Sequence, residues 1–192
     1  MLANRSALLP SREQLENAEK VTRAFRERLR DRTDVIYVIP DYYSQYPKPC
    51  MGGWGDRQLV IGPEGNAWPC LSAHELPLPK ANVREHDLEW IWRSSPMFTA
   101  FRGTDWMSDP CRSCERREVD LGGCRCQAFQ LTGDMTRTDP VCVLSPDRHI
   151  IDEAVAAAND PAAAEPVGAV PVGSGPVGLG MPELAVRPHR AD

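Results

Sequence analysis

The chain has 192 residues, 42% of them hydrophobic, and a net charge of −5. This length holds one modest domain with tails, and the negative charge argues against nucleic-acid binding, which needs a basic face. No apolar run is long enough to cross a bilayer, and the N-terminus lacks the basic and apolar segments of a secretory signal. We therefore expect a cytoplasmic protein with reduced cysteines.

Residues 11–30 have the pattern of an amphipathic helix. Ser11 can cap the N-terminus, and Gln14 follows three residues later, as a capping box requires. Charges of both signs occupy one face, and apolar residues recur at helical spacing on the other. The apolar positions are Leu15, Ala18, Val21, Phe25 and Leu29.

Residues 34–40, DVIYVIP, are short, apolar and β-branched. This composition predicts a buried strand that is ended by proline. A helix followed by a buried strand is the repeating unit of an α/β barrel or sheet, and one unit cannot fold alone. We therefore expect residues 1–42 to form the edge of a larger, incomplete domain.

A β-hairpin is predicted for residues 57–70. Residues 59–61 have strand composition, residues 63–66 (PEGN) have turn chemistry, and Ala67 and Trp68 begin the return strand. Two short helices should follow. Asp87 can cap the first, Pro96 can begin the second, and Gly103 follows its end.

The aromatic residues around these two helices are expected to form a small core. From about residue 157 onward, Ala, Pro, Gly and Val dominate without a helical or strand period. Such a composition buries too little surface to offset its ordering entropy, so residues 157–192 are predicted to be a disordered tail. The expected core aromatics are Trp90, Trp92, Phe98, Phe101 and Trp106.

Seven cysteines form the most informative pattern, and their odd number in a reducing compartment favours metal binding over disulfides. Cys111 and Cys114 form a CxxC pair, whose two thiolates can reach one metal centre. Seven thiolates and one carboxylate would complete two sites of four ligands each. The cysteines are Cys50, Cys70, Cys111, Cys114, Cys124, Cys126 and Cys142.

Residue types alone leave the metal open. Zinc is the commonest structural metal for thiolates, whereas iron–sulfur clusters take four thiolates and accept an occasional substitute ligand. A zinc-stabilised binding module is therefore the alternative to an iron–sulfur protein. A cysteine nucleophile is disfavoured because the histidines show no local pairing with a cysteine. These histidines are His74, His86, His149 and His189.

The order of the cysteines resembles the SPASM domain, the C-terminal auxiliary-cluster module of radical SAM enzymes that modify peptides. That pattern is a cysteine, nine to fifteen residues, a glycine, four residues and a cysteine, followed by C-x2-C-x5-C-x3-C and a final cysteine. Asp120 departs from it by standing where a cysteine is usual, and Cys126 is additional. The matching residues are Cys50, Gly65, Cys70, Cys111, Cys114, Cys124 and Cys142.

These departures, together with YYSQYPKPCMGGWG and GPEGNAWPCLSAHELP, resemble the family members of pyrroloquinoline quinone (PQQ) biosynthesis over about residues 4–155. The resemblance implies two auxiliary iron–sulfur clusters, of the 4Fe–4S or 2Fe–2S type. One would be held by Cys50, Cys70, Cys124 and Cys126. The other would be held by Cys111, Cys114, Asp120 and Cys142. On residue types alone, Asp120 is instead typical of a solvated turn beside Gly122 and Gly123.

The resemblance also implies an α+β fold, with a partial radical SAM barrel edge in residues 1–42, an irregular SPASM module in 43–156 and the tail. The family reaction crosslinks a glutamate and a tyrosine of the precursor peptide PqqA, which the chaperone PqqD delivers. The CxxxCxxC motif of the S-adenosylmethionine cluster is absent from these 192 residues. We therefore expect no catalytic residue here, but an electron-transfer fragment that is inactive alone and that an N-terminal radical SAM fragment could complete.

Overall fold

The structure, a computed structural model, describes residues 8–160 of the chain. Short helices and one small sheet are joined by irregular segments, which is the α+β organisation predicted from the sequence. Short 3₁₀ helices occur at Asp41–Tyr43, Cys50–Gly52 and Leu71–Glu75. The α-helices are α1 Arg12–Leu29, α2 Leu88–Ser94, α3 Pro96–Thr99, α4 Arg117–Asp120, α5 Arg125–Thr132 and α6 His149–Asn159; the strands are β1 Val60–Ile61, β2 Asn66–Trp68 and β3 Ala81–Asn82.

Helix α1 and its capping box are confirmed. The Gln14 backbone N–H donates to the Ser11 hydroxyl at 3.2 Å, and the Ser11 N–H donates to the Gln14 side chain at 2.8 Å. No residue of α1 is buried, and Val21 and Phe25 are 48% and 42% exposed. The helix therefore has sound local signals, but the described residues cover its apolar face only in part, with Leu15, Ala18 and Leu29 half-buried.

The strand predicted for residues 34–40 is wrong. This segment has no regular structure, and Ile36 and Val38 are 86% and 78% exposed. A strand needs a neighbouring strand to accept and donate its backbone hydrogen bonds, and none of the described residues supplies one. The segment is attached to α1 through Arg26, whose Nε donates to the Val35 carbonyl at 2.9 Å. A barrel edge in residues 1–42 remains a prediction.

The predicted hairpin is confirmed by the antiparallel pairing of β1 and β2, with Val60 opposite Trp68. Gly65 forms its turn at φ +87°, a conformation that glycine adopts readily. Strand β3, which the sequence did not indicate, pairs with the other edge of β2 and places Ala81 opposite Ala67. A strand of two residues is too short to produce a recognisable periodic pattern.

Both short helices after the hairpin are confirmed. The Asp87 carboxylate accepts from the Trp90 N–H at 2.7 Å at the start of α2. Pro96 occupies the first turn of α3, where its missing N–H costs nothing. Gly103 follows α3 at φ +72°.

The core differs in part from its prediction. Phe98 and Phe101 are buried, whereas Trp90 is 37% exposed and stacks on the His86 ring, with centroids 3.7 Å apart. Trp54, which was not predicted, is 4% exposed and meets Phe101 edge to face at 5.3 Å. Trp90 is excluded because Ile91 takes the inward position of α2. Trp92 and Trp106 pack against the core while partly buried.

Helix α6 extends to Asn159, three residues into the predicted tail. Alanine has the highest helix propensity, so the alanine-rich sequence before residue 160 continues the helix. Asn159 accepts from the Arg12 N–H at 2.9 Å and donates to the Tyr43 hydroxyl at 3.1 Å, which joins the end of α6 to the start of α1. Residues 161–192 of the predicted tail lie outside the described residues.

Among the helices described, none combines the length and apolar character that a membrane crossing requires.

Candidate metal centres

The CxxC pair lies in a tight turn immediately before α4. The Cys114 N–H donates to the Cys111 carbonyl at 3.2 Å, and the Cys114 sulfur accepts from the Arg116 N–H at 3.4 Å. Helix α4 then ends at Asp120, and its C-cap residue Leu121 has a left-handed backbone at φ +51°. The glycines at positions 122 and 123 continue in the left-handed region, so the chain reverses directly into α5.

Four of the predicted ligands line one cavity, to which Pro47, Pro110 and Leu144 contribute apolar walls. The Asp120 side chain belongs to this cavity and is only 7% exposed, so it is not a solvated turn residue. Its Oδ1 accepts from the Gly122 N–H at 3.1 Å. The predicted ligands lining the cavity are Cys111, Cys114, Asp120 and Cys142.

The electrostatics of this cavity favour a bound cation. Burial raises the pKa of the Cys111 thiol, and the charges of Asp120 and Cys114 raise it further. Burial likewise raises the pKa of the Cys142 thiol, with Asp120 and Cys111 acting in the same direction. Several anions confined together disfavour one another's ionisation, and a cation among them would remove that penalty.

The other four cysteines come from three distant segments. Cys50 begins a 3₁₀ helix, and Cys70 directly precedes another. Cys124 caps the N-terminus of α5, where its sulfur accepts from the Gln127 N–H at 3.5 Å, and Cys126 lies in the first turn of that helix. The fold therefore carries all four thiols to the start of α5.

Sulfur contacts connect these four thiols in the order Cys50, Cys124, Cys126, Cys70. The sulfurs of Cys70 and Cys126 are 3.9 Å apart. Hydrogen bonds from Cys126 and Cys50 lower the pKa of the Cys124 thiol, and those contacts raise the pKa of both donors. A hydrogen bond from Cys126 also lowers the pKa of Cys70 to about 7. These contacts favour the thiolate form at Cys124 and Cys70.

The structure therefore divides the eight predicted ligands into two sets, called here the carboxylate group and the thiolate group. No disulfide joins any of the seven cysteines, all of which lie within residues 8–160. In the same part of the chain, no three Cys, His, Asp or Glu side chains converge tightly enough to hold a single metal ion. The carboxylate group is Cys111, Cys114, Asp120 and Cys142; the thiolate group is Cys50, Cys70, Cys124 and Cys126.

Two buried charged residues lie between the groups, and the sequence pattern did not predict them. Asp139 is fully buried and accepts from the N–H groups of Cys124 and Val141, at 2.8 and 3.0 Å. Arg125 is 1% exposed and donates to backbone carbonyls. The position of Arg125 inside C-R-C could have drawn attention to it, whereas Asp139 has no sequence signal.

The donor set suits iron and sulfur. Thiolates are the usual ligands of iron–sulfur clusters, and a single carboxylate can replace one of them. Residues 50–115 match the SPASM family, an iron–sulfur cluster-binding domain. This region is therefore a SPASM domain. The match includes Cys50, Cys70, Cys111 and Cys114 and ends before the remaining four predicted ligands.

Most of the chain is similar to part of the PqqA peptide cyclases. It is 56% identical to the one from Granulibacter bethesdensis, over 84% of this chain and 43% of the relative. It is 48% identical to that of Methylocella silvestris, over 84% of this chain and 44% of the relative. For Gluconobacter oxydans, the identity is 52% over 80% of this chain and 43% of the relative. The chain thus spans less than half the length of these relatives.

Proposed function

We propose that this chain is the auxiliary iron–sulfur portion of a PqqA peptide cyclase that acts in PQQ biosynthesis. One observation carries the proposal: the eight predicted ligands, from five separate segments, fall into two groups of four in and beside a SPASM domain. Iron–sulfur clusters take four protein ligands each, so eight ligands suit two clusters.

We assign the carboxylate group to one cluster. Its support is the shared cavity, the burial of Asp120 and the mutual repulsion that a cationic cluster core would relieve. The chain buries Asp120 beside Arg116, whose Nε lies 3.5 Å from Oδ2. This contact limits the rotation of the carboxylate, as a ligand requires. Oxygen is a harder donor than sulfur, so Asp120 would also tune the potential of the cluster.

We assign the thiolate group to the second cluster. Cys124 and Cys126 approach from α5, while Cys50 and Cys70 approach from the two 3₁₀ helices. The backbone N–H of Gln127 already points at the Cys124 sulfur, and such hydrogen bonds favour the thiolate form. The apolar core packs directly behind these sulfurs and limits the access of water.

Bound clusters would supply one-electron transfer. We propose that the chain carries electrons to or from the reaction that crosslinks a glutamate and a tyrosine of PqqA. PqqA and its chaperone PqqD are the proposed partners, and the cytoplasm is the proposed location. Binding of S-adenosylmethionine would fall to a CxxxCxxC segment, which these 192 residues do not contain. We therefore expect no cyclase activity from this chain alone.

The exposed part of the apolar face of α1, together with residues 34–40, is the surface on which the remaining barrel would pack. Val21 and Phe25 are exposed on α1, and Ile36 and Val38 are exposed on the following segment.

The proposal is tested by measuring the iron, acid-labile sulfide and zinc bound per chain after anaerobic purification. We expect about six to eight irons with matching sulfide, as two clusters of up to four irons require. One substitution is made in each group, Cys114→Ser and Cys70→Ser. Each should remove the iron of its own cluster and leave the iron of the other cluster in place. One or two zinc ions without sulfide would contradict the proposal and would favour the zinc-stabilised binding module.

A further inference from the structure

The side chain of Arg125 is buried between the two groups of sulfur ligands. Arg125 lies between Cys124 and Cys126 at the start of α5, and it is 1% exposed. An arginine remains charged in proteins. A full positive charge at this depth is costly unless the surrounding groups compensate for it.

Backbone carbonyls hold the guanidinium in one orientation. It donates to the carbonyl of Met135 at 3.1 Å, to that of Arg137 at 2.7 Å and to that of Gly122. Its carbon lies 4.7 Å from the centre of the Trp106 ring, which adds a cation–π contact. These contacts are neutral, so they orient the charge without neutralising it.

One hydrogen-bond donor of the Arg125 side chain has no acceptor among the described residues. Its Nε is buried and has no acceptor among residues 8–160. A buried N–H without an acceptor is destabilising, and such groups are rare in native proteins. The charge of Asp139 acts on the guanidinium, but the Nε donor still calls for an acceptor that residues 8–160 do not supply.

Arg125 acts on both groups. It flanks two members of the thiolate group in the chain, and its bond to the Gly122 carbonyl reaches the wall of the cavity that the carboxylate group lines.

We propose that Arg125 is an electrostatic tuning residue that raises the reduction potentials of both clusters. The inference rests on the proposed function, because it requires clusters in both groups. Reduction adds a negative charge to a cluster, and a fixed positive charge nearby stabilises the reduced form. Because one charge acts on both sites, the two potentials are shifted together.

The test compares Arg125→Met, Arg125→Gln and Arg125→Lys in the full chain, reconstituted anaerobically. Iron and sulfide content is measured first, and both midpoint potentials are then measured by redox titration followed by EPR spectroscopy. Arg93→Met is the matched control, since the Arg93 side chain is 73% exposed and pairs with the exposed Glu89 on α2. We expect both potentials to fall in the neutral variants and to stay near the wild-type values in Arg125→Lys and Arg93→Met.

Unchanged potentials in a neutral variant that holds both clusters would overturn the proposal. A shift in only one potential would overturn the claim that Arg125 serves both sites. Loss of clusters from both neutral variants, with retention in Arg125→Lys, would assign Arg125 to cluster assembly and also overturn tuning. A wild-type chain without iron and sulfide is a different result, because it contradicts the proposed function itself.

Discussion

The carboxylate of Asp139 accepts a hydrogen bond of 2.8 Å from the backbone N–H of Cys124. Through its own backbone carbonyl, Asp139 also accepts from the Cys142 N–H at 2.9 Å. One buried residue therefore positions a cysteine of the thiolate group and a cysteine of the carboxylate group. The two candidate centres are parts of one structural unit, and a substitution at Asp139 should affect the ligand positions of both.

Asp139→Asn should destabilise the protein by about 1–3 kcal/mol. The carboxylate accepts from Cys124, Val141 and Gln127, and an amide would turn an NH₂ group toward one of these donors. The measurement is chemical unfolding under anaerobic conditions, together with the rate of iron loss to a chelator. Asp105→Asn is the control, because Asp105 is exposed and should change stability by less than about 0.5 kcal/mol. Equal stability of the two variants would contradict this role.

Gly123→Ala should be more damaging than Gly103→Ala. Both glycines have a left-handed backbone, at φ +76° and +72°, so each substitution introduces similar strain of about 1–2 kcal/mol. A Cβ at position 123 would lie 2.5 Å from Asp139 Oδ2 and 2.8 Å from Pro47, whereas nothing lies within 4 Å at position 103. The difference in unfolding free energy between the variants isolates the clash. Identical losses would show that Asp139 can move away freely.

Asp120→Cys should still assemble a cluster at the carboxylate group but with a changed potential. A thiolate donates more electron density to iron than a carboxylate does, and ligand identity is one of the main determinants of cluster potential. Redox titration of the reconstituted protein measures the shift. Asp120→Ala, which supplies no ligand, should lower the iron content of the same site. An unchanged potential in Asp120→Cys would argue that Asp120 does not bind the cluster.

Removing the metal should unfold most of the region after residue 43. The core is small, so cluster binding should supply several kcal/mol of its folding free energy. For a chain of this length each kcal/mol corresponds to about 2–4 °C, so the thermal midpoint should fall by about 10 °C or more. Circular dichroism of the reconstituted and chelator-treated protein measures this change. A chelated sample with an unchanged midpoint would show that the polypeptide core is sufficient.

Val21→Glu should leave the stability of this chain within about 0.5 kcal/mol of the wild type, because Val21 is 48% exposed. It should nevertheless weaken association with an N-terminal fragment that carries CxxxCxxC, since a charge would be buried in the proposed barrel contact. Lys20→Glu adds the same side chain one position away, on the charged face of α1. Sedimentation of the mixed fragments measures association. Equal binding by both variants would rule out this face as the contact.

Local signals in the sequence were sufficient for the elements that depend on neighbours in the chain. The capping box of Ser11 and Gln14 and the cap at Asp87 depend on residues only three positions apart, and both formed. The turn around Gly65 formed for the same reason. The class of site was also predictable, because cysteine spacing reflects how thiolates reach a common centre.

Strand pairing, side-chain burial and the meeting of ligands from different segments were decided by tertiary packing. Residues 34–40 have strand composition but form no strand, since pairing requires a neighbour that the described chain does not supply. Trp54 took the buried position that Trp90 was expected to share, because burial depends on which side of α2 faces the core. The burial of Asp120, and the placement of Arg125 and Asp139 between the two groups, follow from contacts across the fold. Sequence alone therefore determined which atoms can bind metal, and tertiary structure decided which of them meet and what charge surrounds them.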